Sequence, residues 1–232
     1  MYSLALAIED YVPVVLSAAG LWTVTRLIRT GAHAHEGVAP SIGGTALAAS
    51  ALIVAGGASR ATWKLIVASG GPDVGALYLA LFPALVVGYL TLATAAWLGW
   101  SSPGSRRGRA TALIPAAVAV ALLIPFTVAL QSPDSRIVPL AWLLTVAAGS
   151  GALSLLLARR AWRRGLNRLG WLFILNLAVT LALNGVARAA QASEGVQWVQ
   201  QLINTGNQAL FLVAARRLAA IADSRDAEAL AR

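Results

Sequence analysis

Apolar residues fall in long blocks along this chain, and each block ends in a short polar or basic stretch. The blocks run to about 17–25 residues, the length a helix needs to cross a hydrocarbon core of about 30 Å. No water is present there to satisfy peptide groups, so crossing segments are helices or closed barrels. Runs this continuous lack the alternation of a barrel strand. The pattern predicts an all-α integral membrane protein built as a seven-transmembrane-helix bundle.

The first predicted span is 11–28, with Glu9 and Asp10 at one end and Arg26 and Arg29 at the other. A polar loop with His33, His35 and Glu36 leads to span two, 42–58. That span is rich in Gly, Ala and Ser, which lets helix backbones approach closely. Residues 59–73 read as an interfacial segment holding Arg60, Trp63 and Lys64 before the Gly70-Gly71-Pro72 break. Span three is 74–98 and contains Pro83. Span four is 110–130, and Pro125 inside it should bend the helix. Span five, 137–158, ends in the densest basic loop, with Arg159, Arg160, Arg163, Arg164 and Arg168. Spans six and seven form a hairpin over 169–217, and residues 218–232 form a polar helical tail.

Composition sharpens this picture. The 232 residues are 58% hydrophobic and 12% charged, too few charges to keep a soluble domain of this length dispersed. The net charge of +9 would suggest nucleic acid in a soluble protein, but here the arginines sit at span ends, where they set topology, so no nucleic-acid partner is expected. Of the 18 lysines and arginines, 14 fall in the loops after spans one, three and five and in the tail. The positive-inside rule then places the N-terminus outside and Arg106, Arg159 and Arg225 on the cytoplasmic side, which requires an odd number of spans. Glu9 and Asp10 interrupt the first apolar run, so it is read as a retained helix rather than a cleaved signal. The expected setting is a bacterial-type cytoplasmic membrane, with the lipid bilayer as the first partner.

A five-residue likeness joins Gly57-Ala58-Ser59-Arg60-Ala61 to Gly185-Val186-Ala187-Arg188-Ala189. Taken as the trace of a duplication, it makes 11–98 and 137–217 parallel repeats with 110–130 as linker, one recurring transporter architecture.

The residue inventory removes several chemistries. There is no cysteine, hence no disulfide, thiolate nucleophile or Cys-held metal. The one lysine, Lys64, falls outside the predicted core, which argues against a retinal Schiff base. His33 and His35 share one loop and cannot face each other across a haem; with Glu36 they are read as solvated polar residues rather than a metal site. None of the nine acids is placed near a bilayer midplane, which argues against a proton pump and against an enzyme. No cofactor is expected.

What remains is a concentration of amides at membrane depth. Asn176, Thr180 and Asn184 recur every fourth residue on span six, and Gln197, Gln201, Asn204 and Gln208 form a stripe on span seven. An amide in hydrocarbon without a partner is costly, so both stripes must face protein, water or ligand. One reading makes them glue between helices or between subunits of a homo-oligomer or larger membrane complex. The other makes them the lining of a cavity for a small neutral or zwitterionic solute. The function classes that follow are a solute transporter or permeation pathway, a sensory module signalling through the last helix, and a non-catalytic subunit of a membrane complex.

Overall fold

The structure, a computed structural model, describes residues 3–33, 39–100, 137–189 and 193–230, and these are almost entirely helical. In chain order they are α1 (Leu4–Glu9), α2 (Tyr11–His33), α3 (Ala39–Ala68), α4 (Gly75–Leu79), α5 (Leu81–Trp100), α6 (Ile137–Arg163), α7 (Asn167–Ala189) and α8 (Glu194–Leu230). Predicted span four, with Arg106, Arg107 and Arg109, lies outside the described residues, as do His35 and Glu36.

Among the described residues, five stretches are long and apolar enough to cross a membrane: Leu4–Gly31, Ile42–Ala68, Gly75–Trp100, Leu140–Arg163 and Asn167–Gly185. Only 22–39% of each apolar window is buried inside the protein. The remainder, including exposed Val15, Leu79, Leu144 and Leu155, would be a penalty in water and suits contact with lipid tails. The chain is thus a multi-pass membrane protein. The predicted seventh span is helical as expected, but its amides and charged tail keep α8 outside that set of five.

Prolines place two helix junctions. Pro13 and Pro83 are each the third residue of their helices, and neither can donate to the carbonyl four residues earlier. Those carbonyls belong to Glu9 and Leu79, the last residues of α1 and α4. The breaks at Asp10 and Ala80 follow, so the helix of predicted span three is interrupted near its start, within the single apolar stretch Gly75–Trp100.

The boundary between span two and the interfacial segment is corrected. The helix runs unbroken through Arg60 and Lys64 to Ala68. Leu65, Ile66, Val67 and Ala68 continue the apolar run beyond Lys64, so two basic residues do not end the helix. Gly57–Ala61 consequently lies inside α3, and Gly185–Ala189 are the last described residues of α7.

Two compact units are present. One comprises Ile28–Arg60 and Val74–Leu153. Within it α3 and α5 pack closely where Gly88 faces Ala49 and Ile53; a Cβ there would lie 3.0 Å from the Ala49 carbonyl and 2.5 Å from Ile53 Cγ1. Gly56 of α3 faces α5 as well, where a Cβ would lie 2.9 Å from Ala84 Cβ and 3.2 Å from the Leu81 carbonyl, the small-residue approach expected of span two. Val86 meets Val146 of α6 among Leu85, Tyr89, Leu90 and Trp142.

The other unit comprises Met1–Leu27, Ala61–Asp73 and Ser154–Arg232. Its core holds Leu6, Leu21, Val24, Leu157, Phe173, Phe211 and Leu218. Within it α2 and α8 run parallel: Ser17 meets Gln208, Gly20 meets Phe211 and Arg26 meets Asp223. α7 runs antiparallel to α8, with Phe173 edge-on to Phe211 at 6.3 Å.

Candidate functional site

The polar groups of this second unit converge on α8, and its sequence spacing explains how. Gln197, Gln201, Thr205 and Gln208 recur at intervals of four and three, which keeps them on one sector of the helix. Gln200, Asn204, Asn207 and Phe211 form a neighbouring sector. The first sector meets α1 and α2. Thr205 Oγ1 donates to Glu9 Oε1 at 2.6 Å. Ser17 Oγ lies 2.7 Å from the Pro13 carbonyl and 3.0 Å from Gln208 Oε1, sharing one proton between them.

The second sector meets α7. Asn207 Nδ2 donates to the Asn176 carbonyl at 3.2 Å and to Thr180 Oγ1 at 2.9 Å. Asn176 Nδ2 returns a bond to the Asn207 carbonyl at 3.0 Å. Both amides are buried, and Thr180 passes its own proton to the Asn176 carbonyl at 2.9 Å. At these residues the amides join two helices.

Of the seven residues singled out in the sequence, Asn176 and Thr180 therefore lie together at the α7–α8 contact, and Gln208 lies at the α2–α8 contact. Asn184, Gln197, Gln201 and Asn204 are half-buried. They lie one to three turns from the Asn207 clasp, toward the Ala189 end of α7 and the Glu194 end of α8. Three polar atoms here are buried without a hydrogen-bond partner among the described residues: Glu9 Oε2, Gln200 Nε2 and Asn207 Oδ1. Unmet groups of this kind suit a water or solute.

A charge cluster beside this polar face was not foreseen. Lys64 Nζ of α3 meets Asp10 Oδ2 at 2.5 Å, with side chains only 15% and 10% exposed. Next to it, Tyr11 and Thr62 join their hydroxyls at 2.8 Å. Glu9, the neighbour of Asp10, carries the Thr205 bond and the unpartnered oxygen. Asp10 sits about 9 Å in from the Leu4 end of its candidate span, and Lys64 about 6 Å in from the Ala68 end of its own. The signal lay in the apolar Leu65–Ala68 run after Lys64: a lone ammonium inside an apolar helix needs a carboxylate. Trp63 Nε1, by contrast, donates to Asp73 at 2.7 Å at an exposed position.

These elements supply groups of opposite charge beside uncharged amides. Glu9 offers an acceptor oxygen, Lys64 a shared cation, and the amides of α8 supply donors and acceptors without net charge. No protein-family model, curated protein or solved structure matches the chain.

Proposed function

We propose that this multi-pass membrane protein binds and translocates a small neutral or zwitterionic solute along the polar face of α8. The observation that carries the reading is the largely buried Asp10–Lys64 pair next to Glu9, whose second carboxylate oxygen is buried and has no partner among the described residues. Charges at membrane depth are costly and mark solute or ion pathways more often than they mark packing. A buried ion pair is also weak as a stability device, because apolar residues of similar volume do as well.

In this reading the ammonium of a zwitterion takes the free oxygen of Glu9, and its carboxylate competes with Asp10 for Lys64. Gln201, Asn204 and Gln208 then receive the neutral parts of the solute. The parallel course of α2 and α8 supports the odd number of crossings required by the arginine asymmetry, with an outside N-terminus.

Uptake of neutral and zwitterionic solutes into liposomes holding the purified protein tests this directly. Glu9→Gln and Thr205→Val should abolish uptake while the melting temperature falls by only a few degrees. Uptake that persists in both variants, or no uptake by the native chain, overturns the proposal.

A second reading has one observation in its favour. α8 is unbroken from Glu194 to Leu230, about 55 Å, and joins the polar cluster to exposed Arg216, Arg217 and Asp223. A helix of that kind could carry a solute-induced shift to a partner as a sensory module. Solute binding without uptake would favour it.

A further inference from the structure

The turn between α6 and α7 has chemistry that solute handling does not use. We infer that it is a binding site for the phosphate headgroup of an anionic phospholipid, formed by Arg163, Arg164 and Arg168 around the start of α7 and flanked by Trp162 and Trp171.

The turn is built by its backbone. Gly165 takes φ +73°, and the Leu166 and Gly165 amides bond back to the Ala161 and Trp162 carbonyls at 3.0 and 2.9 Å. This paired closure ends α6 and lets α7 begin within two residues. The first amides of α7 have no partners within their own helix and carry the positive end of its dipole. Its first turn contains no acidic residue to neutralise that end, and it adds Arg168.

Independent of the helix end, the half-buried Arg164 has a buried Nη1 with no acceptor among the described residues. A buried guanidinium nitrogen without an acceptor implies an anion or ordered water there, and a phosphate diester offers the paired oxygens that suit its fork. Arg163 and Arg168, one residue before it and four after it in the chain, are exposed. The chain has no carboxylate side chain between Asp134 and Glu194 to serve instead. On α8, Asp223 lies 3.8 Å from Arg26.

The aromatic pair points to a lipid rather than a free anion. Trp171 is 64% exposed, one turn into an apolar helix, and meets Trp162 edge-on at 5.7 Å. The Trp162 ring lies over Gly170 so closely that a Cβ there would fall 2.1 Å from its Nε1. Glycine at that position lets the two indoles stand together. Indoles at the boundary between headgroups and tails anchor a helix end while the neighbouring arginines reach phosphates.

Fluorescence quenching in nanodiscs tests the inference. The intact protein is placed in phosphatidylcholine containing a small share of lipid with brominated chains, either phosphatidylglycerol or phosphatidylcholine. The signal of Trp171 is taken as the difference between the native chain and Trp171→Phe. Brominated phosphatidylglycerol should quench it about twofold more than brominated phosphatidylcholine, and raising the salt should reduce the preference. Arg164→Gln and Arg168→Gln should remove the preference, and Arg217→Gln on α8 should leave it. Arg168 is exposed, so its variant tests the site even where Arg164→Gln fails to fold. Equal quenching by the two lipids, or equal loss in Arg217→Gln, overturns the inference. So does loss of the preference on adding soluble glycerophosphate, which would mark a site for small anions.

Discussion

Asn176 and Asn207 clasp each other reciprocally, each side-chain amide donating to the other's main-chain carbonyl at 3.0 and 3.2 Å. Neither bond requires the other residue's side chain, so each survives loss of its partner's amide. The asymmetry lies in Thr180, whose hydroxyl accepts only from Asn207 among these three residues.

Replacing Asn207 should therefore cost more than replacing Asn176. Asn207→Leu removes two donated bonds at a buried contact, and about 1–3 kcal/mol of stability should be lost. Asn176→Leu removes one donated bond and should cost about 0.6–2 kcal/mol. Thermal unfolding in detergent, followed by circular dichroism, gives the order. Equal melting temperatures for native and Asn207→Leu protein would show that the clasp does not hold α7 to α8.

The Asp10–Lys64 pair makes a different prediction, because its cost depends on leaving one charge alone. Asp10→Asn or Lys64→Met should each destabilise by about 3–5 kcal/mol, since the surviving charge stays largely out of water. The double variant Asp10→Leu with Lys64→Met should recover most of that loss. Melting of the two single variants and the double variant measures the coupling. Strict additivity would mean that the two groups do not sense each other. The surface pair Arg26–Asp223, at 3.8 Å and more than half exposed, should give almost no coupling by the same measurement.

The contrast between these two sites shows what could be read from the sequence. The helices were legible because apolar length is a local property, and the amides stood out because each recurs at three or four positions on one helix. The division of the α8 amides into two sectors was not legible: Asn204 and Gln208 fit one stripe by spacing, and only the positions of α2 and α7 distinguish Thr205 from Asn207. The Asp10–Lys64 pair was hidden for a related reason. Two basic residues before Gly70-Gly71-Pro72 resemble a headgroup segment, and the counter-ion comes from a distant helix. Span ends were therefore drawn inside the charges, at Tyr11 and Ala58, whereas α1 extends the apolar stretch ahead of Tyr11 and α3 continues to Ala68.

Half-buried amides outside the clasp should behave in the opposite way to Asn207. Gln201→Leu and Asn184→Leu remove groups that are in reach of water, and a hydrated amide contributes little to packing. Both variants should keep native melting temperatures, and under the proposed function both should lose solute uptake or binding. A large drop in melting temperature for either would identify it as helix glue and leave the proposed pathway without its lining.

The direction of α7 provides the final test, because its two ends should face opposite compartments. Arg159, exposed near the end of α6, lies by the basic turn that the positive-inside rule assigns to the cytoplasm. Ser193, exposed before α8, lies by the opposite end of α7. The chain contains no cysteine, so single cysteines can be introduced at each position without a background signal. A membrane-impermeant maleimide added to intact cells should label Ser193→Cys. It should label Arg159→Cys only after the membrane is opened. Labelling of both from outside would mean that α7 does not cross. The reverse pattern would place the N-terminus in the cytoplasm and turn the arginine asymmetry against the rule used to read it.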